Sequence, residues 1–279
     1  MKHLVCYSGG HSSALVAIDV VRRYGPENVV LLNHDINPRY EDADIKRFKA
    51  EVAAFLGLPI TYANFMGLDN PDEISSQFVV CIAAKAFKVN NGQEFCTNRL
   101  KTVPFERYLL ANHPPGTATI YYGFDANEES RIERRRKYLR AAGYDTAFPR
   151  AEWKTIINST LEIGIAPPNT YSHFKHGNCK GCLKAGKQHW YVIYCLYPEI
   201  YREGKIAEDY IGYTIHPGES LTSLEPLFEA MHLAGITPSE HIPQQRFWAD
   251  VTRFVRPKEN GLGDVQNTIF MQMPCECVV

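Results

Sequence analysis

The chain has 279 residues, of which 45% are hydrophobic and 22% charged, and its formal net charge is -1. This length and composition predict a globular protein with one large core, or with one core and a smaller appendage. The near-zero net charge excludes a protein whose whole surface is strongly basic and attracts nucleic acid, but it allows local basic patches. No apolar run has membrane-spanning length, and the N-terminal residues lack the pattern of a secretory signal, so we expect a cytoplasmic protein with no membrane partner.

Short apolar runs alternate with amphipathic segments over the first two-thirds of the chain. The predicted strands are residues 3–7, 28–33, 59–63 and 118–122. The predicted helices are residues 13–24, 41–56, 103–112 and 128–142. This alternation is typical of βαβ units, and it predicts an α/β fold with an open, mostly parallel sheet and helices on both faces.

The pattern changes after about residue 150. A helical pattern over residues 152–163 leads into loop-rich and then helical segments that continue to the C-terminus. The sequence therefore predicts an α/β core over residues 1–150 and a smaller C-terminal lobe over residues 151–279, packed on the core.

A glycine pair stands between the first predicted strand and the first predicted helix, in the stretch LVCYSGGHSSALVAIDVV. Glycines allow a tight turn, and the first amides of the helix point into that turn with the positive end of the helix dipole. Ser8, Ser12 and Ser13 add hydroxyl donors, so the turn predicts an anion site. The alternative is a Gly-Gly turn with a serine helix cap. The Gly-Lys-Ser/Thr phosphate loop and the three-glycine dinucleotide motif are both missing from the sequence.

Two acidic residues are candidates for a nucleotide or metal site. Asp35 follows the second predicted strand, and a carboxylate at the end of a strand in an open α/β sheet lies at the crevice where ligands bind. Glu129 stands early in a predicted helix, so its alternative role is only to complement the helix dipole.

Four of the eight cysteines suggest metal chemistry, because thiols in a reducing compartment rarely form structural disulfides. Cys179 and Cys182 form a Cys-x-x-Cys pair, a spacing that lets two thiolates face one metal ion. Cys275 and Cys277 near the C-terminus are alternative partners. They would complete a four-thiolate zinc site with the first pair, or form a redox pair of their own.

Five segments, taken in chain order, resemble the phosphoadenosine phosphosulfate reductase-like family. This family belongs to the PP-loop enzymes, whose ATP pyrophosphatase members split ATP between the α and β phosphates. The segments are Ser-Gly-Gly-x-x-Ser at 8–13, NHDINPRYED at 33–42, FCTNRLKTVPFERYL at 95–109, GFDANEESRIERR at 123–135 and NCKGCLKAGKQHW at 178–190.

The resemblance implies a nucleotide site with Mg²⁺ in the core. The implied nucleotide-binding residues are Ser8, Gly9, Gly10, Ser12, Ser13, Asp35, Gly123, Glu129 and Arg134. The implied catalytic residues are Cys96 and Lys101, and Cys96 is also the implied third metal ligand beside Cys179 and Cys182. Three cysteines would hold a 4Fe-4S cluster with one open iron, and the zinc site is the alternative.

The sequence departs from the family pattern in two places. His11 and Ser12 stand where many PP-loops have Lys-Asp, so the loop lacks its usual cation. Asp125 stands where relatives often have an arginine. Candidates for a cation elsewhere are Lys101, Arg131, Arg134 and Arg135, and the alternative for the arginines is a solvated basic helix face.

The resemblance implies an enzyme that uses an adenine nucleotide in sulfur chemistry. The favoured activity is ATP-dependent adenylation of a substrate, releasing pyrophosphate, followed by sulfur transfer that releases AMP. The acceptor is unidentified, and nucleic acid is one candidate. The alternatives are a reductase that releases sulfite from an adenylyl sulfate, and a non-catalytic nucleotide-binding protein with a structural zinc.

Overall fold

The computed structural model describes residues 1–64, 70–90, 92–177 and 179–255. These residues form two compact units. Unit 1 contains the described residues of Met1–Ser76 and Cys96–Tyr171, and unit 2 contains those of Gln77–Phe95 and of the chain from Ser172 onward. The chain is thus divided at three places, whereas the sequence predicted one boundary near residue 150. Within the described ranges, no helix has the length and apolar character needed to cross a membrane.

Unit 1 is built on a sheet of five parallel strands, which confirms the predicted α/β class. The strands are β1 (Lys2–Cys6), β2 (Val29–Asn33), β3 (Ile60–Tyr62), β4 (Ala118–Tyr121) and β5 (Asp145–Ala147). Their order in the sheet is β3-β2-β1-β4-β5, and every neighbouring pair is parallel. All five carboxyl ends therefore lie at one edge of the sheet. The strand β5 was not predicted.

The described residues form eleven α-helices, of which four match those predicted in the first half of the chain. They are α1 (His11–Tyr24), α2 (Ala43–Leu56), α3 (Gln77–Ala84), α4 (Phe95–Thr97), α5 (Val103–Asn112), α6 (Glu129–Ala141), α7 (Pro149–Glu152), α8 (Lys187–Leu196), α9 (Pro198–Ile211), α10 (Leu221–Leu233) and α11 (Gln244–Phe254). The four helices predicted over residues 13–24, 41–56, 103–112 and 128–142 correspond to α1, α2, α5 and α6.

The helix predicted over residues 152–163 is wrong. The helix α7 ends at Glu152, and only a short 3-10 turn, Thr160–Ile163, follows it. The intervening stretch contains the β-branched Ile156 and Ile157, whose side chains lower helix propensity. Trp153 is extended and packs its ring edge-on against Tyr121, with 5.8 Å between ring centroids, so contact with the sheet replaces helix formation here.

Both faces of the sheet are covered by apolar layers. Along β1, Val5 joins a buried cluster with residues of α1 and α2, whereas Leu4 and Cys6 join a second cluster with residues of α5 and α6. This alternation follows from the two-residue period of a strand. Because both faces are buried, the exposed edge at the carboxyl ends of the strands is the part of the sheet where polar groups gather.

Unit 2 has a helical core. Trp190 in α8 is fully buried, and Gly204 in α9 allows its ring to approach the helix backbone. A Cβ at Gly204 would lie 2.8 Å from the Trp190 ring, so a larger residue does not fit there. Burial of the indole ring makes Trp190 a packing residue rather than an exposed stacking platform.

Candidate functional site

The strand order reverses next to β1. The chain builds β2 and β3 on one side of β1 and then crosses to β4 on its other side. In open α/β sheets, ligands bind outside the carboxyl ends of the strands at such a reversal. The turn Ser8–Gly10 follows β1 and Gly123 follows β4, so two of the predicted nucleotide-binding segments lie at this point.

The two glycines of the turn have different roles. Gly9 has φ +83°, and a Cβ there would lie 2.7 Å from both Cγ and Cδ of Lys49. Gly10 has φ -79° and ψ 154°, which any residue adopts. A Cβ at Gly10 would lie 3.6 Å from Tyr171 Oη and 3.7 Å from Ser8 Oγ. The fold therefore requires glycine at position 9. At position 10 the backbone does not require glycine, and a Cβ would fit there in ordinary contact with both oxygens.

The first turn of α1 is stabilised by serine hydroxyls. Ser13 Oγ donates to Gly10 O at 2.8 Å, and Ser8 Oγ donates to Ser13 Oγ at 3.3 Å. Gly10 is the N-cap residue, and no side-chain cap hydrogen bond is present there. The serine cap that was the alternative interpretation of this motif is therefore wrong for the described residues.

Gly123 lies directly against this turn. A Cβ at Gly123 would lie 3.0 Å from Ser13 N and 3.1 Å from Ser12 C. Glycine therefore allows the end of β4 to approach the first turn of α1 closely. This packing is a sufficient reason for glycine at position 123, and its contact with a nucleotide stays a prediction.

His11 occupies the position of the missing loop lysine, but it is not a substitute cation. Its Nε2 accepts a hydrogen bond from Thr160 N at 3.2 Å, and its ring lies 6.5 Å from that of Phe48. Burial lowers the pKa of His11, and the positive charge of Arg150 lowers it further. The ring is thus a neutral acceptor that holds the turn Thr160–Ile163.

Asp35 is buried two residues after β2, as the sequence predicts for a residue at the ligand crevice. Its Oδ1 accepts from Lys46 Nζ at 2.7 Å and from Ile36 N at 3.0 Å. Asn64 bonds both the N–H and the C=O of Asp35, each at 2.7 Å. Among the described residues, the hydrogen bonds that we observe to this carboxylate go to Oδ1. Oδ2 is therefore the oxygen that we consider for contact with a ligand.

Asp35 belongs to a buried ion network that the sequence did not indicate. Lys49 is 1% exposed, and its Nζ lies 2.8 Å and 2.9 Å from the two carboxylate oxygens of Glu41. Lys46 Nζ lies 3.1 Å from Glu41. Burial opposes the charge of Lys46, but its contacts with Asp35 and Glu41 outweigh that effect and raise its pKa. Two carboxylates balance two ammonium groups, so the network supplies no surplus positive charge to the turn.

Lys101 lies close enough to His34 to affect its ionisation. The pKa of His34 is about 3, because of burial first and the charge of Lys101 second. The buried Nε2 of His34 has no hydrogen-bond partner within the described part of the chain. Lys101 belongs to a π-helical turn, Asn98–Thr102, between α4 and α5. Such turns are frequent at functional sites, and this one brings a lysine near the end of β2.

Two of the predicted arginines of α6 contact aromatic rings. Arg131 lies 4.4 Å from the ring centroid of Phe124, and it also pairs with Glu128. Arg135 lies 5.2 Å from the ring centroid of Tyr122. Stacking of this kind fixes the guanidinium planes. Two further residues of α6 are predicted to bind the nucleotide. Glu129 begins the helix, and Arg134 is exposed on it.

Arg150 is a cation near the glycine turn that the sequence did not single out. It lies in α7, and its Nε donates to Asp125 Oδ1 at 3.1 Å. Its charge also lowers the pKa of His11, which begins α1. The acidic Asp125, which departs from the family pattern, therefore has an arginine as its partner.

The Cys-x-x-Cys pair lies in unit 2 on a tightly packed turn. Gly181 has φ +69°, and a Cβ there would lie 2.9 Å from Ile200 Cγ2 and 3.1 Å from Phe78 Cζ. Gln77 Nε2 donates to the carbonyl of Lys180 at 2.8 Å. The turn between the two cysteines is thus fixed by neighbours that leave room only for glycine.

Cys182 is held from a second direction by a histidine. Its N–H donates to His189 Nε2 at 3.4 Å, and His189 Nδ1 lies 2.7 Å from Glu240 Oε1. Both Cys182 and His189 are buried. This contact orients the backbone of the cysteine turn, and the sequence did not predict it.

The described residues do not assemble a metal site. They contain no group of three or more His, Cys, Asp or Glu side chains that could hold a metal ion. Of the ligands of the predicted iron-sulfur cluster, Cys96 lies in unit 1 and Cys179 and Cys182 lie in unit 2; the cluster stays a prediction, and we derive no chemical step through it. Cys275 and Cys277, the partners in the predicted zinc site, lie outside the described residues.

The turn Ser8–Gly10, Asp35 and Gly123 follow β1, β2 and β4, and so lie at the same edge of the sheet. Comparison with family models, with curated proteins and with solved structures found no match. The family resemblance therefore rests on the sequence motifs, and the function drawn from it is a proposal.

Proposed function

We propose that the chain is a PP-loop enzyme that uses ATP to activate a substrate for sulfur transfer. The observation that carries the proposal is the glycine turn Ser8–Gly10 directly before α1, at the strand reversal of a parallel sheet, with the hydroxyls of Ser8 and Tyr171 beside Gly10. A phosphate group at this place would meet the first amides of α1 and the positive end of its dipole.

The other groups at this edge complement a triphosphate. Lys101 supplies positive charge, which the neutral His11 and the balanced lysine network do not, and Arg150 adds a cation whose charge it shares with Asp125. Asp35, with Oδ1 engaged and Oδ2 left for a ligand, fits a contact with Mg²⁺, which prefers carboxylate oxygens. Bound Mg²⁺ would neutralise charge on the phosphates. The cations of the chain would thus replace the missing lysine of the loop.

In the proposed reaction an oxygen of the acceptor attacks the α phosphorus of ATP. The bond from that phosphorus to the bridging oxygen breaks, and pyrophosphate leaves with the bonding electrons. The amides of the turn stabilise the departing charge. The acceptor is now an adenylate, and a sulfur nucleophile displaces AMP from it. Binding the acceptor beside ATP supplies a large share of the rate.

The neutral loop supports a second candidate, reduction of an adenylyl sulfate. This substrate carries less negative charge than ATP, and so it depends less on a loop lysine. A thiolate would attack its sulfur, breaking the sulfur-oxygen bond and releasing AMP. A second thiol would then release sulfite from the cysteine S-sulfonate and form a disulfide.

The products distinguish the two reactions. We expect the protein with Mg²⁺ and ATP to form AMP and pyrophosphate in equal amounts, slowly when water is the acceptor. Nucleotides and pyrophosphate are measured by chromatography, and the Gly10→Val variant is the control that should form neither. ADP and phosphate as the only products would contradict the mechanism. Sulfite from adenylyl sulfate and a thiol, with no use of ATP, would select the reductase.

The predicted metal role of the cysteines has its own test. In anaerobically purified full-length protein, we expect serine at Cys179 or Cys182 to lower the bound iron or zinc to less than half, because each thiolate is a ligand. Elemental analysis and the absorbance spectrum measure this, and Cys195→Ser is the control. An equal loss in Cys96→Ser as well supports the iron cluster, whereas losses in Cys275→Ser and Cys277→Ser as well, with none in Cys96→Ser, support zinc. Wild-type protein without metal would contradict both.

A further inference from the structure

Unit 2 contains a cavity that the sequence did not indicate. Its volume is about 360 Å³, which lies in the range of sites for small ligands. The lining comes from residues 85–88 with Glu94, from Leu183, and from within residues 213–217. All of these residues belong to unit 2, so the cavity is formed by one compact unit.

Most of the cavity lining is apolar. Phe87 and Leu183 line the cavity and are buried, and Ile215 is half-buried. Tyr213 adds an aromatic ring that is 72% exposed. A ligand with an apolar or aromatic body would gain free energy by covering these side chains, because it removes their apolar surface from water.

Two lysines give the cavity an excess of positive charge. Lys85 and Lys88 are exposed, and among the described residues neither side chain has a hydrogen bond or an ion pair. Glu94, the acidic residue of the lining, lies 3.2 Å from Lys184 Nζ, so its charge is already balanced. A cleft lined by charges of one sign concentrates ligands of the opposite sign, and this cavity therefore favours an anion.

The backbone holds this charged segment in a defined conformation. Lys85 follows α3 with φ +50°, a left-handed conformation that residues other than glycine rarely adopt and that costs stability. Lys88 and Glu94 form an antiparallel bridge, and Phe95 N–H donates to the carbonyl of Phe87 at 2.7 Å. The two lysines and the Phe87 ring are thus presented to the cavity by a hydrogen-bonded segment.

We propose that this cavity binds a small aromatic anion. The aromatic body of the ligand covers Phe87, Leu183 and Ile215, and its charged group is neutralised by Lys85 and Lys88. The residues of this site all belong to unit 2, so the inference does not depend on the nucleotide site proposed in unit 1.

A pair of fluorescent probes that differ in one sulfonate group tests the proposal. We expect the full-length protein to bind anilinonaphthalene sulfonate saturably. Lys85→Gln with Lys88→Gln should weaken this binding at least about tenfold, because both cations are lost, and should change the affinity for the uncharged phenylnaphthylamine by less than about twofold. Lys137→Gln with Lys175→Gln is the matched control, since it removes the same charge from two exposed lysines outside the lining.

A variant that fills the cavity locates the bound probes. Ile215→Trp enlarges a half-buried side chain of the lining, so it should weaken the binding of both probes at least about tenfold. Fluorescence titration measures the affinities, and far-UV circular dichroism checks that each variant is folded.

Four results would overturn the inference. Wild-type protein that does not bind the sulfonate probe saturably has no such site. Equal affinities for that probe in the wild type and the Lys85/Lys88 variant would mean that these lysines do not contact the anion. An equal loss in the control variant would mean that the net charge of the protein attracts the probe. Folded Ile215→Trp protein with both affinities unchanged would mean that the probes bind elsewhere.

Discussion

Replacing Gly10 with valine is expected to abolish nucleotide binding while the protein stays folded. The backbone at this position has φ -79° and ψ 154°, which valine adopts readily. The side chain would instead enter the space between Ser8 Oγ and Tyr171 Oη, where the proposed phosphate binds. Calorimetry should show at least about a hundredfold loss of affinity for Mg²⁺-ATP, which corresponds to the loss of several charged hydrogen bonds.

Gly9→Ala is the contrasting variant, because it should act on stability. The left-handed backbone costs an alanine roughly 1–2 kcal/mol. The Cβ, at 2.7 Å from two carbons of Lys49, adds strain because the far end of that side chain is held by Glu41. Urea denaturation should therefore find Gly9→Ala clearly less stable than Gly10→Ala. A stable Gly10→Val protein with unchanged ATP affinity would refute the phosphate site over Gly10.

The order of the elements could be predicted because it depends on local periodicity. The helix α2 buries one mostly apolar stripe, whereas α1 is buried on all sides from Ser13 to Val21, and both apolar patterns are visible in the sequence. The segment around Trp153 and Ile157 also contains apolar residues, but it is not helical, and the side chains of Trp153 and Ile157 pack on the core. Tertiary contacts determine the conformation of that segment, and the hydrophobic periodicity of the sequence does not predict such contacts.

The candidate site was predictable only where its residues follow strands directly. Ser8 and Asp35 come immediately after β1 and β2, so topology places them at the crevice. Tyr171 reaches the same turn from 160 residues beyond His11. Arg150 likewise follows the unpredicted strand β5. Such contacts depend on how the later chain returns to the sheet, and no motif within the loop indicates them.

The buried lysine beneath Gly9 shows why the loop depends on α2. The Lys49 stem fills the space that the missing Cβ of Gly9 leaves, and its ammonium is neutralised by Glu41. The ion pair therefore fixes the Lys49 stem beneath the turn. Glu41 does not contact the turn, but its substitution should displace Lys49 and so alter the turn at the proposed phosphate site.

Glu41→Gln is accordingly expected to destabilise the protein by roughly 3–5 kcal/mol, because it leaves the ammonium of Lys49 buried without its carboxylate. Asp35, 3.9 Å from Lys49 Nζ, offsets part of this and favours the lower end of the range. The pair Arg47–Glu51 on the same helix supplies the control, since it is partly exposed and Glu51→Gln should cost less than about 1 kcal/mol.

The double variant Glu41→Leu with Lys49→Met tests the cause of the loss. It removes both charges and keeps apolar volume, so we expect it to recover most of the stability that Glu41→Gln loses. Urea denaturation of Glu41→Leu, of Lys49→Met and of the double variant gives the coupling free energy between the two side chains. Two results would contradict this cause: Glu41→Gln loses no more stability than Glu51→Gln, or the double variant loses as much stability as its two single substitutions together. Either result would mean that Lys49 does not need Glu41 to remain buried. The turn at Gly9 would then be held by the apolar stem alone.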